Sequence, residues 1–305
     1  MLIIRLMGGM GNQMFQYARG KALEKQGKGP VFYDDSAYED DNLRSYALQS
    51  FRVAITKAPQ SEIDKYRRIR RLYYSIRYHV KISTLPSYQH EKKDYKYGRY
   101  WNSGYLEGYW QNEKYFLNIR EILQKEFVYK GGLTDKQKEI SQEMHQGNSV
   151  AVHVRRGDYL SEKNRYTYVC LPIIYYQRAI SYLQNNIGNL KLYIFSDDIP
   201  WCKENFLEYE NLMYIDESVS NSAQTDFELM RNCKHFIIAN STFSWWPAWL
   251  ADNEDKTVVA PVQWFFDEKD NRGVRRGLLS ENWICIDVPE VYSNHDIERK
   301  KNKNE

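Results

Sequence analysis

The chain is poor in cysteine, close to neutral, and free of long apolar runs. Its four cysteines, Cys170, Cys202, Cys233 and Cys285, form no CxxC pair and have no histidine at metal-ligand spacing, so neither a metal site nor a disulfide framework is indicated. They read as free buried thiols in a reducing compartment. The 43 basic and 40 acidic side chains leave a net charge of +3, too small for a general nucleic-acid binder. No stretch approaches the roughly 20 apolar residues of a membrane-spanning helix. MLIIRLM, at the start, is broken by glycine too soon for a signal peptide. The expectation is a cytoplasmic protein, at most peripheral at the inner face of a membrane.

What the sequence does have is length and rings. Its 305 residues suffice for two domains, and 15% are aromatic, including 26 Tyr and 8 Trp. That excess suits surfaces on which sugars stack, although tyrosine-rich cores are equally compatible with it. The chain is organised around Ser149–Leu160, SVAVHVRRGDYL. Val150, Ala151, Val152 and Val154 make a short buried strand, which breaks into His153, Arg155, Arg156, Gly157, Asp158 and Tyr159. Adjacent guanidiniums at the end of a buried strand are costly unless an anion meets them. At the carboxyl edge of a parallel strand that anion is usually a ligand. The arginine fork fits two phosphate oxygens at once, so a diphosphate clamp is expected.

The N-terminal part reads as strand Leu2–Met7, a Gly8-Gly9-Met10-Gly11 turn, and helix Gln13–Gln26 capped by Asn12. Strand Pro30–Tyr33 follows, ending in Asp34-Asp35. This order resembles a dinucleotide-binding fingerprint, but position 14, where a third small residue belongs, is Met14. A tight turn in a Rossmann-like layer is the plainer reading. A third is that Gly11 and Asn12 border a cleft shared with Arg155. Residues 61–80 form an amphipathic helix with Arg67, Arg68, Arg70, Arg71 and Arg77 off its apolar face. Those arginines read as solvated, with contact to an anionic membrane surface or an acidic glycan as the functional alternative. Leu85–Trp110 suits a loop or short strands with exposed rings, an acceptor-sugar platform. Asn112–Tyr129 and Thr134–Gln146 read as helices.

A boundary is placed at Gly147. The expected parts are an acceptor-side domain over 1–147, a nucleotide domain over 148–290, and a charged tail over 291–305. The second half alternates strand and helix, which implies a doubly wound parallel sheet. In it Asn240, Ser241 and Thr242 sit where a strand passes into a helix predicted from Ser244, a position suited to phosphate. Asp197-Asp198 could hold a divalent cation, but before Pro200 and Trp201 they read better as a helix cap.

HVRRGDY at 153–159, GGMGNQMFQYA at 8–18 and NSTFSWWPAWL at 240–250 resemble the signature blocks of the bacterial α-1,2-fucosyltransferases, glycosyltransferase family 11. The resemblance implies an α/β, GT-B-like fold of two Rossmann-like domains facing across a cleft. It also implies GDP-β-L-fucose as donor, inversion at the anomeric carbon, no metal and no other cofactor. The acceptor would be the 2-hydroxyl of a galactose-terminated glycan, in surface polysaccharide or O-antigen synthesis. On this pattern Arg155 grips the β-phosphate beside Arg156 and His153, and Asp226 bonds guanine. Asn240, Ser241, Thr242 and Phe243 wrap the nucleotide, and Gly11 and Asn12 lie at the transferred sugar. Asp158 is expected as the base, with an ion pair to an arginine as its alternative. The start at the first strand, without a Golgi anchor, points to a bacterial cytosolic enzyme. A transferase for another GDP-sugar, a dinucleotide oxidoreductase using the Gly9–Gly11 turn, and a non-catalytic basic module remain as rivals.

Overall fold

The computed structural model describes residues 1–79, 88–90 and 104–292. It divides into two units, Met1–Lys130 and Gly131–Glu305, both built on wholly parallel sheets, so the expected pair of Rossmann-like α/β layers is what the chain forms.

The first unit contains β1 (Leu2–Arg5), α1 (Met10–Lys25), β2 (Val31–Asp34), α2 (Gln60–His79), β3 (Tyr88–His90), β4 (Gly104–Glu107) and α3 (Arg120–Glu126), with sheet order β2-β1-β4-β3. Parallel strands are covered on both faces, which is why Leu2, Ile3 and Ile4 are all buried. Helix α1 presses closest to the sheet at Gly20, where a Cβ would sit 2.8 Å from Tyr33 Cζ. The small residue that lets helix meet strand therefore stands at 20, and Met14 is simply buried.

Four expectations for this unit need correction. Asn12 does not cap α1: the cap is Gly9 and the helix begins at Met10. The helix expected over 112–129 is broken into two 3₁₀ turns, Glu113–Tyr115 and Leu117–Ile119, before α3. There the Asn112 side chain accepts from Lys114 N, a local bond that competes with helix propagation. The Gly104–Glu107 segment is a buried strand rather than an exposed platform; 80–87 and 91–103 lie outside the described residues. Asp34 is 1% exposed and already accepts from the Tyr105 hydroxyl and Ser36 N. Of the Asp34-Asp35 pair expected at the ribose of a dinucleotide, Asp34 is thus taken, and Asp35 pairs with Lys57 at 2.6 Å. Helix α2 stands nearly as expected: Ile63 and Tyr66 pack on Ile3 and Tyr105, Arg67 pairs with Glu39 at 3.3 Å, and Arg68 and Arg71 are exposed. No helix among the described residues is long and apolar enough to cross a membrane.

The second unit contains α4 (Asp135–Gln146), β5 (Ser149–Val154), α5 (Ile173–Ile187), β6 (Lys191–Ser196), α6 (Ile199–Asn205), β7 (Leu212–Tyr214), α7 (Ala223–Arg231), β8 (His235–Ile237), α8 (Thr242–Leu250), β9 (Val258–Pro261), α9 (Glu268–Gly277) and β10 (Ile284–Ile286). Sheet order is β10-β9-β8-β5-β6-β7. The division falls after Lys130 rather than at Gly147 because α4 belongs here. A Thr134–Gln137 capping box starts it, Gln137 Nε2 donates to Val219 O at 2.7 Å, and Ser149 Oγ donates to Met144 O. Helix α9 carries little sequence signal, since EKDNRGVRRG has too few apolar residues to show a helical period. Val291 and Tyr292, expected in the tail, pack with Val288 instead; 293–305 lie outside the described residues. Of the four thiols Cys202 and Cys233 are buried, Cys170 is half-buried and Cys285 exposed.

Candidate active site

In the second sheet β5 runs on to β6 and β7 in one direction, while β8, β9 and β10 build outward on the other side. The crevice beyond the carboxyl ends of β5 and β8 is thus the topological switch point, where open α/β sheets bind ligands. From β5 come Arg155, Arg156 and Asp158; from β8 come Asn240 and the start of α8; from β6 come Asp197 and Asp198. The Tyr159 hydroxyl donates to Asn240 O at 2.8 Å, and the His153 and Phe243 ring centroids are 5.3 Å apart. The structure therefore brings the β5 and β8 motifs together.

The two guanidiniums are held by three carboxylates. Arg155 Nη2 meets Asp158 Oδ1 at 2.6 Å, and its Nη1 meets Asp197 Oδ2 at 2.9 Å. Arg156 Nε meets Asp198 Oδ2 at 3.0 Å, its main-chain N–H donates to Asp197 Oδ1 at 2.9 Å, and its guanidinium lies 4.1 Å over the Trp201 ring. Burial pulls the Arg155 pKa down, but Asp197 and then Asp158 more than reverse that, so it is held above its ordinary value. Its Nη1 and Nη2 atoms thus each face one of these acids. Gly157 makes the arrangement possible, since a Cβ there would lie 2.5 Å from Asp197 Oδ2. Asp198 does cap α6, accepting from Trp201 N at 3.1 Å. All four oxygens of the Asp197-Asp198 pair are thus engaged.

Other expected residues take more limited parts. His153 is 4% exposed, and burial, then the Arg155 charge, drives its pKa down to about 3. Its Nδ1 has no partner, and its ring lies against Phe243. Asn240 is 1% exposed and donates its amide to Val169 O at 2.8 Å and Trp264 O at 3.0 Å, so it is a clip beneath the crevice. Ser241 caps α8 through Phe243 N, and the helix starts at Thr242, earlier than expected, which brings its amino-terminal N–H groups to the crevice. Asp226 lies in the first turn of α7, which packs on α8. Burial lifts its pKa to about 6, with Ser220 opposing, and its Oδ1 is buried without a partner. An unpartnered buried oxygen of this kind calls for a partner such as water, an ion or a ligand.

Gly11 and Asn12 belong to the first unit. Gly11 is buried in the first turn of α1, and Asn12 Oδ1 accepts from Gln111 Nε2 at 2.7 Å. Three contributors escaped sequence reasoning: Asp197 as the partner of Arg155, Trp201 beneath Arg156, and Gln111. The first was within reach, because pairing β5 with β6 places Ser196-Asp197-Asp198 beside Arg155. The others depend on side-chain packing that no local pattern reveals.

The raised Asp226 pKa has a consequence for stability. Its folded pKa lies above its unfolded value, so the group favours folding at low pH, and that contribution disappears as pH rises through about 6. After allowance for partial exposure, the ligand-free protein should lose about 1–2 kcal/mol between pH 4 and pH 7 through this group. Urea unfolding should show the loss in native protein and not in Asp226→Asn; identical pH profiles would refute it.

The chain matches the family "Glycosyl transferase family 11" over residues 1–287. It is 35% identical over 300 residues to an alpha-1,2-colitosyltransferase of Escherichia coli, covering 94% of this chain and 99% of that one. It is 30% identical over 314 residues to the O-antigen biosynthesis glycosyltransferase WbnK of Escherichia coli, covering 92% and 99%. It is 24% identical over 258 residues to galactoside alpha-(1,2)-fucosyltransferase 2 of Pongo pygmaeus, covering 82% and 69%. With its signature blocks gathered at the carboxyl edges of its sheets, this chain is a glycosyltransferase that belongs to glycosyl transferase family 11.

Proposed function

We propose that the enzyme transfers L-fucose from GDP-β-L-fucose to the 2-hydroxyl of a terminal galactose, with inversion and without a metal, in O-antigen or surface-polysaccharide synthesis. The observation that carries this is the convergence of Arg155, Arg156 and the α8 amino terminus on one crevice, a site for a nucleoside diphosphate. Linkage and acceptor are supported by relatives named for α-1,2 transfer and for galactoside fucosylation. In a single displacement, negative charge grows on the departing GDP while the sugar carbon becomes cationic. Arg155, already fixed by Asp158 and Asp197, meets that charge without reorganising, and donors of this kind contribute about 3–4 kcal/mol. Asp226 would accept from guanine N–H groups, and Asn12 would meet the sugar. Metal independence is supported by the engagement of both aspartates of the 197–198 pair.

The specific rival is a different GDP-sugar, since the relative 35% identical is named for colitose, which is L-fucose without its 3-hydroxyl. Release of GDP should be compared across GDP-fucose, GDP-colitose and GDP-mannose with galactose-terminated acceptors, with and without excess EDTA. The expected result is the highest kcat/KM with GDP-fucose and an unchanged rate in EDTA. A preference for another donor, or loss of activity that Mn²⁺ restores, would contradict the corresponding part.

The bond from Arg155 to Asp158 favours an orienting role for that acid over the role of base, and we adopt it. Asp158→Asn should then weaken GDP binding by about 1–3 kcal/mol, as a charged hydrogen bond is replaced, with a matching loss of transfer. Calorimetry beside single-turnover transfer decides: intact GDP binding with transfer reduced about 10²–10⁴-fold would restore Asp158 as the base.

A further inference from the structure

The first unit has its own switch point. Strand β2 pairs with one edge of β1 and β4 with the other, so the loops after β1 and β4 leave side by side at the carboxyl edge where such sheets take ligands. Gln16 ties these loops together, donating to Met7 O at 3.2 Å and to Gly108 O at 3.1 Å. Across the same edge Gln111 donates to Asn12. Between Gly108 and Gln111 stands Trp110, the one non-glycine residue with positive φ (55°) among the described residues. That conformation costs about 1–2 kcal/mol and persists only where the surroundings over-determine it, commonly at functional sites. Here the ring is 5% exposed, meets Tyr115 edge-on at 5.9 Å and lies 5.7 Å from the Arg19 guanidinium. On the other side of Asn12, Gly8 has φ of +79°, and a Cβ there would lie 2.7 Å from Asn12 Nδ2. Asn12 is half-buried, and its amide carbonyl accepts from Gln111.

We infer that Gln111, presented by the left-handed turn at Trp110, is a positioning residue for sugar transfer that sets the orientation and polarity of the Asn12 amide. The inference rests on the reading that Asn12 meets the transferred sugar. A primary amide can present either its carbonyl or its NH₂ end. A donor from Gln111 settles the choice by occupying the carbonyl. A misplaced contact of about 1 Å can cost up to about 10²-fold in rate, so a residue that only aims another can matter as much as its target.

The test compares Gln111→Ala, Gln111→Glu, Asn12→Ala and the Gln111→Ala/Asn12→Ala double variant. Both Gln111 variants should lose about tenfold or more in kcat, with KM for GDP-fucose changed less than about twofold and the melting temperature retained. The double variant should be no worse than Asn12→Ala alone, since the two residues act as one unit. Gln111→Glu adds a readout that a structural role would not move. Its carboxylate can only accept, but its acid form donates again, so activity relative to native should climb as pH falls toward the glutamate range of about 4–5. Native kcat in either Gln111 variant, additive losses, or a flat pH ratio overturns the positioning role. Native turnover in Asn12→Ala overturns the reading beneath it, and the inference falls with it.

Discussion

Two guanidinium groups stand at the mouth of a buried strand, and most of the site follows from how their charge is met. Partly buried cations are tolerable only when paired, and Arg155 and Arg156 are paired with Asp158, Asp197 and Asp198. Those acids do more than neutralise. They fix the forks in place before any ligand arrives, and preorganised donors stabilise developing charge without a reorganisation cost. Gly157 has to be a glycine for Asp197 to approach, and Trp201 supplies the flat surface on which Arg156 rests. The His153 pKa is held low beside them, first by burial and then by the Arg155 charge.

Both units follow one construction. In each, the sheet reverses its direction of winding, and the loops from the two strands at that reversal carry the polar groups of interest. In the second unit these are charged and suit a diphosphate. In the first they are amides, Asn12 and Gln111, which suit hydroxyl groups. The buried glutamines Gln13 and Gln16 serve the amide side by bonding the main chain of the surrounding loops.

Much of this was legible in the residues. The VAVHV run followed by RRGD marks β5 and the two arginines at its end, and the strand–helix alternation after it implies a doubly wound sheet. Asn240–Phe243 were placed at a strand–helix junction, and the observed start of α8 agrees in kind though not in register. Less legible were features set by packing. Asn12 looked like a helix cap because its residue type favours that position, but the chain turned earlier, at Gly9. Helix α4 fell to the second unit through tertiary bonds from Gln137 and Ser149. Helix α9 has almost no apolar period to display. Most telling is Asp197, which local sequence assigned to a cap or a metal. Its partner is 42 residues away from it in one sense only, along the chain; in space the β5–β6 pairing makes them neighbours.

The central claim is that Arg155 meets a diphosphate through its two-pronged fork, and Arg155→Lys tests it most directly. Lysine keeps the positive charge and loses the planar pair of donors. Calorimetric GDP affinity and single-turnover transfer should both fall by roughly tenfold or more, with the melting temperature close to native because the loop is not core. Native affinity together with native turnover in this variant would contradict the account.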